Sequence, residues 1–382
     1  MVIMNLNLVK RLMTKFANRP FIERTLKYRY YSSQTEVSRK YDKNDAIQFK
    51  SMFKQFASDL LEDVRKYDTT FAPSWFERSL QYNVNGGKLN RGQMTVIAYK
   101  ILADDSQLTV ENIELARKIG WVSELFEAAL FMVDDIIDGS EIRRNMPCWH
   151  TLSDVKMQSI NDMLMLENGT FVALRRYIGH KNYYPRIFQM FSEALFVTSL
   201  GQTLDTLITR ENVINQTMER FQGIVQYKTC HSAFYLPVAF ALEMCGYKHP
   251  GIYEDAKKVL VAIGLFFQAR NDYLDCFGEL TETGKEGTDI QENKVSWMAI
   301  TALNKVNEKQ KEIMQSCYGQ KDPSKVAKVI SLYKELGIDK DFLEYEKESY
   351  ERINNMIQGS TFYNLKPLLQ MIWDTIYHKK IW

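Results

Sequence analysis

From about Asp45 onward the apolar residues of this chain return every three or four positions, as in Phe49, Met52, Phe53, Phe56, Leu60, Leu61 and Val64. A repeat near 3.6 lines such side chains along one face of a helix, whereas a half-buried strand needs a repeat of two. Similar runs cover 94–103, 109–137, 159–178, 185–208, 213–246, 252–277, 294–317 and 324–336, and no convincing alternating pattern interrupts them. Gly86-Gly87, Pro147, Pro237, Gly284, Gly287 and Pro323 fall at or near the expected breaks. No repeat, low-complexity tract or linker divides the chain. The spacing therefore predicts an all-α protein, with one helical-bundle domain over 41–382 behind an N-terminal arm over 1–40.

Composition narrows what such a bundle does. The 49 basic and 47 acidic residues give a net charge of +2, too even a balance for nucleic acid or an anionic membrane as a general partner. The longest apolar stretches, around Leu125–Val133 and Val259–Phe267, fall short of the roughly 20 residues a bilayer span requires, so no transmembrane segment is expected. Cys148, Cys230, Cys245, Cys276 and Cys317 form no CxxC pair, and an odd count suits small core residues in a reducing compartment. The arm is different in kind. Up to Ser33, Lys10, Arg11, Lys15, Arg19, Arg24, Lys27 and Arg29 are opposed only by Glu23, with Ser32 and Ser33 closing the run. That is the composition of an organellar transit peptide, here expected to be mitochondrial; a solvated arm on a cytoplasmic protein is the alternative.

Two acidic clusters interrupt the apolar helices. Asp134, Asp135 and Asp138 stand at i, i+1 and i+4 in an otherwise apolar stretch, so Asp134 and Asp138 share a face. Unpaired carboxylates in a dry core cost several kcal/mol each, and a buried helix carries a group of them only if cations compensate. Magnesium suits clustered carboxylate oxygens and shares them with waters and phosphates. A salt-bridged solvent face is the alternative, with Arg143 and Arg144 close behind. In the second cluster, Asn271-Asp272-Tyr273-Leu274-Asp275, residues Asn271, Asp275 and Glu279 fall at i, i+4 and i+8, although Gly278 is placed to end the helix first. Gly284-Lys285 does not make a phosphate-binding loop of the P-loop kind: five residues, not four, separate Gly278 from Gly284, and Glu286 takes the Ser/Thr position.

The ordered set of Gly86-Gly87-Lys88-Leu89-Asn90-Arg91-Gly92, DDIID at 134–138, Arg143-Arg144 before Pro147-Cys148-Trp149, GQTLD at 201–205, Tyr227-Lys228-Thr229, NDYLD at 271–275 and Thr283-Gly284-Lys285 resembles farnesyl diphosphate synthases. The likeness runs from about residue 45 to the C-terminus and implies the isoprenoid synthase fold, a homodimer and magnesium, three ions per site. It also implies roles. Asp134, Asp135, Asp138, Asp205, Asn271, Asp272, Asp275 and Glu279 correspond to the metal-binding set, with Gln268 in support. Arg143, Lys228 and Lys285 correspond to the cations on an allylic diphosphate, and Lys88, Arg91 and Arg144 to those on isopentenyl diphosphate.

Several positions depart from that pattern. Asn271 replaces an aspartate of the elongating enzymes, so that the segment is also similar to the second metal motif of class I terpene synthases. Glu127 replaces a glutamine near the isopentenyl site, where an anion would repel a second diphosphate unless protonated or paired. Asn145-Met146 and Cys230-His231-Ser232-Ala233 depart as well, the latter directly after Thr229, and the C-terminus ends in a longer tail. Ala129 and Leu130 stand below the first cluster where bulky aromatics are usual, which suggests a deeper pocket for a C15 chain. Together these departures lead to the expectation of a terpene synthase derived from the family, as in some insects, that ionises a prenyl diphosphate. The alternative is an elongating trans-isoprenyl diphosphate synthase, for which the retained Lys88, Arg91 and Arg144 argue. A silent partner subunit is a third reading, and intact Asp134–Asp138 argues against it.

Overall fold

The computed structural model of the protein describes residues 43–278 and 287–378. The basic arm, Glu279, Lys285 and the last residues of the tail lie outside them. The helices are α1 (Lys43–Ser51), α2 (Phe53–Arg65), α3 (Phe71–Asn83), α4 (Asn90–Leu102), α5 (Val110–Asp138), α6 (Gln158–Ile178), α7 (Tyr184–Ile208), α8 (Met218–Ile224), α9 (Leu236–Met244), α10 (Pro250–Phe277), α11 (Trp297–Leu303), α12 (Glu308–Cys317), α13 (Pro323–Leu336), α14 (Ile338–Gly359) and α15 (Leu365–Tyr377). Helices α3, α14 and α15 add to those the apolar spacing predicts.

The central element is α5, whose 29 residues span about 43 Å at 1.5 Å per residue. Thr109 caps its start by accepting a 3.2 Å hydrogen bond from the Asn112 N–H, and Gly139, at φ 63°, ends it. Leu125 through Ala129 are all buried, Glu127 included. Against α5 lies α4, and the two backbones meet where Gly92 faces Gly120. A Cβ on Gly120 would stand 2.6 Å from the Gly92 carbonyl oxygen, so the crossing admits no side chain.

The predicted helix over 213–246 is not uniform. After a short turn at Val213–Asn215, α8 passes into a π-helical segment, Val225–Tyr235, before α9 begins. Pro237 cannot donate to the helical ladder, and the wider turns lie directly before it. The run over 294–317 is broken between α11 and α12, where Asn307 and Gln310 form a reciprocal capping box. Among the described residues the only strands are Ile142–Arg143 and Met146–Pro147, paired antiparallel. Arg144 and Asn145 turn between them at φ 55° and 60°, the left-handed pair that a tight hairpin requires. No helix among the described residues is long and apolar enough to cross a membrane. The five cysteines are free thiols, with Cys148, Cys230 and Cys317 buried.

Candidate active site

The first acidic cluster occupies the C-terminal end of α5, at the mouth of the bundle. Asp205 reaches it from α7, one turn beyond Gly201. A Cβ on Gly201 would lie 2.3 Å from the Lys228 amide nitrogen, so only glycine lets α7 press against the π-helical segment. That contact sets Lys228 between two carboxylates: its Nζ is 2.9 Å from Asp134 Oδ1 and 2.7 Å from Asp205 Oδ2. Lys294 repeats the arrangement, 2.9 Å from Asp138 and 3.4 Å from Asp205. Burial pushes the Asp134 carboxyl up, but Lys228 and Arg143 outweigh it and hold the group below its ordinary value. Burial lowers both ammonium groups while the carboxylates raise them; the carboxylates prevail, leaving Lys228 and Lys294 firmly charged.

The hairpin supplies the paired arginines and sends them opposite ways. Arg143 donates from Nη2 to Asp134 at 3.0 Å and from Nε to Asp135 at 2.9 Å. Arg144 turns back toward the Gly86-Gly87 loop and donates from Nη1 to the Asn83 carbonyl at 3.1 Å. A Cβ on Gly87, itself at φ 73°, would come within 2.8 Å of Arg144 Nε. Arg91, on α4, pairs with Glu127 at 2.6 Å, and Glu124 one turn earlier accepts from the Gly92 N–H at 2.7 Å. Between these groups stands Phe131. The guanidinium carbons of Arg143, Arg91 and Arg144 lie 4.7, 5.4 and 5.7 Å from its ring centre, within cation–π range.

The second cluster is built differently. Asn271 is exposed, while Asp272 turns into the protein. Its Oδ1 accepts from Gln268 Nε2 at 2.8 Å and its Oδ2 from the Trp297 N–H at 2.8 Å. Asp272, which the resemblance assigns to the metal-binding set, is engaged by both oxygens inside the fold. Burial, with Asp275 and Asp205 nearby, drives its carboxyl well above the ordinary range although those two hydrogen bonds oppose the shift. Asp275 accepts from the Thr288 and Asp289 N–H groups at 3.1 and 3.0 Å, fastening the segment that follows. Lys88 is exposed beside the glycine loop, and Thr229 is half-buried next to Lys228. Ala129 is buried and Leu130 partly so.

Below Leu130, one further turn down α5, Phe126 packs against Phe191 at 5.4 Å between ring centres, and Phe191 stacks on Phe240 at 4.4 Å. These packed rings form a buried aromatic floor about 12 Å along α5 from Asp134, two turns lower. The sequence did not point to Lys294 or Phe131 as site residues. The alternation of basic residues with the two clusters was the available signal, but pairing across 156 positions, as between Lys294 and Asp138, has no local pattern.

Asp134, Asp138 and Asp205 offer the oxygen chemistry that a divalent cation takes, tied together here by lysine ammonium groups. Among the described residues no three acidic, His or Cys groups converge closely enough to enclose an ion unaided. The donor set fits a cation shared with substrate phosphate oxygens, and does not fit a closed structural site.

A helical bundle that gathers carboxylates, lysines and arginines at one mouth above an apolar floor has the architecture of the isoprenoid synthases. More narrowly, the chain belongs to the polyprenyl synthetase family, whose profile matches residues 73–336. Farnesyl pyrophosphate synthase 2 of Lupinus albus is 39% identical over 335 residues, 87% of this chain and 98% of that protein. The farnesyl pyrophosphate synthase of Gallus gallus is 38% identical over 81% of this chain and 86% of its own. Farnesyl pyrophosphate synthase 1, mitochondrial, of Arabidopsis thaliana is 38% identical over 87% of each chain. These relatives overturn the expectation of a terpene synthase: proteins matched along nearly their whole length are named as synthases of farnesyl pyrophosphate, and none of the three supports a lyase or an insect terpene synthase. The anion at Glu127 is paired by Arg91.

Proposed function

We propose that the chain is a trans-isoprenyl diphosphate synthase that joins isopentenyl diphosphate to an allylic diphosphate and releases diphosphate. The observation that carries this reading is the division of cations about Phe131. Arg143 and Lys228 pair with the first carboxylates, whereas Arg91 pairs with Glu127 and Arg144 turns to the loop that carries Lys88. One array serves a leaving diphosphate and the other holds a second diphosphate in place.

Enzymes of this family use magnesium. Asp134, Asp138 and Asp205 would hold it here, with Asn271 and Asp275 toward a third ion; when bound it neutralises charge on the departing group. Arg143, Lys228 and Lys294 are fixed donors aimed at that charge, an electrostatic contribution of several kcal/mol. As the allylic C–O bond breaks, its electron pair leaves on diphosphate. The isopentenyl double bond, positioned by Arg91, Arg144 and Lys88, supplies the electrons of the new C–C bond. The proton then lost from the former isopentenyl unit passes to the released diphosphate, no side chain among the described residues being placed as a dedicated base. The Phe126–Phe191–Phe240 floor limits product length.

A second copy of the chain fits the exposed apolar residues along α6 and α7, Ile160, Leu164, Phe188, Phe196, Leu200 and Leu207, and a homodimer is proposed on that basis. Delivery to the mitochondrion rests on the composition of the arm, in keeping with the mitochondrial Arabidopsis relative. Incubation with magnesium, dimethylallyl diphosphate and isopentenyl diphosphate tests the activity. Longer prenyl diphosphates are expected, and a chain that makes none, or that turns farnesyl diphosphate alone into a hydrocarbon or alcohol, contradicts the proposal.

A further inference from the structure

Glu127 is a buried carboxylate in the middle of the second cation array, 5% exposed. Its Oε1 holds Arg91 at 2.6 Å, while its Oε2 is buried without a hydrogen-bond partner. A carboxylate that satisfies one oxygen with the substrate's cation and leaves the other buried and unpartnered has a place for a proton. The charged groups facing it are Arg91 from α4, Arg144 from the hairpin, and Glu124 and Asp134 from its own helix. Glu124 is 4% exposed and bound to the Gly92 N–H, so the two guanidiniums already have carboxylates beside them before any substrate arrives. A multiply charged anion entering that set places like charges together in a dry environment, which costs more than an exposed site would.

We infer that Glu127 is the resident anion of the second diphosphate site, and that it releases Arg91 and takes up one proton from solvent when the homoallylic diphosphate binds. Glu127 is thereby a specificity-determining residue: it makes the affinity for that substrate, and not for the allylic one, depend on pH. The inference rests on the proposed function, in which Arg91 and Arg144 hold the second diphosphate. Burial raises the Glu127 carboxyl above its ordinary value, with Arg91 opposing and Glu124 adding to the shift, which brings proton uptake closer to the working pH. Were Glu127 only a brace for Arg91, its charge would be as useful at pH 9 as at pH 6.

The test compares the full chain with Glu127→Gln, which keeps the shape and removes the charge. In the wild type, KM for isopentenyl diphosphate should rise by up to about tenfold per pH unit toward alkaline pH, the slope of one linked proton. KM for the allylic substrate should not follow it. In Glu127→Gln the isopentenyl slope should vanish and KM at pH 8.5 should fall. A variant whose KM rises at every pH, or whose profile tracks the wild type, overturns the inference. So does a flat wild-type profile from pH 6 to 9, which needs no variant at all. Calorimetry with inorganic diphosphate in buffers of different ionisation enthalpy reads the proton without turnover. The wild type should take up about one proton more per diphosphate than Glu127→Gln, and equal uptake rejects the role of Glu127. Absence of condensation by either protein rejects the proposed function instead, while the proton count still judges Glu127.

Discussion

The two acidic clusters are similar as strings and different as structures. At the end of α5, Asp134 and Asp138 turn outward to lysines brought from other elements, and Asp205 joins them from α7. On α10, Asp272 turns inward to Gln268 and the Trp297 amide, and Asp275 fastens the segment at Thr288 and Asp289. One cluster keeps its carboxylates for charges that come and go. The other spends one Asp272 oxygen on the first turn of α11 and both Asp275 oxygens on the segment before it, leaving the neutral Asn271 at the surface. Acidic residues near a mouth are therefore not equivalent, and the hydrogen bonds they already make separate chemistry from support.

The contrast is open to attack by substitution. The largest effect is expected from Asp134→Asn, which should lower kcat by roughly 10²–10³-fold or more while the protein stays folded; near-normal turnover would remove the first cluster from the chemistry. Asp272→Ala should act on the fold instead. It strands the Trp297 N–H and the Gln268 amide in a buried place and should cost about 1–3 kcal/mol in denaturant unfolding; a variant as stable as the wild type would contradict the inward role. Phe131→Ala removes the ring that three guanidiniums share. At about 0.5–2 kcal/mol per contact it should weaken binding of both diphosphates by roughly two- to thirtyfold, and an effect on one substrate alone would break the shared platform.

Acid titration gives a smaller effect with a fixed sign. Asp134 is held below its ordinary value, so its pairing stabilises the fold above the unfolded pKa near 4 and is lost as pH falls through the folded value. Lys228 is raised, so the same pairing is lost at the other end only above about pH 10. In metal-free protein, stability between pH 5 and 3 should fall less steeply in Lys228→Met than in the wild type, and parallel curves would show that the pair contributes nothing. The smallest change is expected of Asn271→Asp, which adds one charged ligand to the exposed end of the second cluster. The magnesium concentration for half-maximal activity should drop a few-fold, and no change would place Asn271 outside the metal site.

Much of this was legible before the fold. Helix α5 was predicted over 109–137 and runs Val110–Asp138, because a long apolar stripe between a threonine cap and a glycine stop specifies both ends. The pairing of Arg143 with Asp134 and Asp135 lies within nine positions and follows from sequence proximity. The inward turn of Asp272 was partly encoded too: one position on from Asn271, it is rotated by about 100° off the face shared with Asp275. What could not be read depends on contacts between distant segments. Lys294 reaches Asp138 across 156 positions, and the π-helical path that sets Lys228 depends on a glycine on another helix. The functional expectation failed for a related reason. Asn271 and Glu127 were weighed as lost or added charges, whereas Arg91 already answers Glu127 and the relatives matched along the chain are named farnesyl pyrophosphate synthases.

The central claim is that the two sets of cations around Phe131 serve two different diphosphates, and crossed Michaelis constants test it most directly. Arg143→Gln should raise KM for the allylic diphosphate by more than tenfold and leave that for isopentenyl diphosphate within a few-fold, and Arg91→Gln should do the reverse, each being about the loss of a charge-assisted hydrogen-bonded contact. Equal effects of both variants on both substrates would contradict the division and the account built on it.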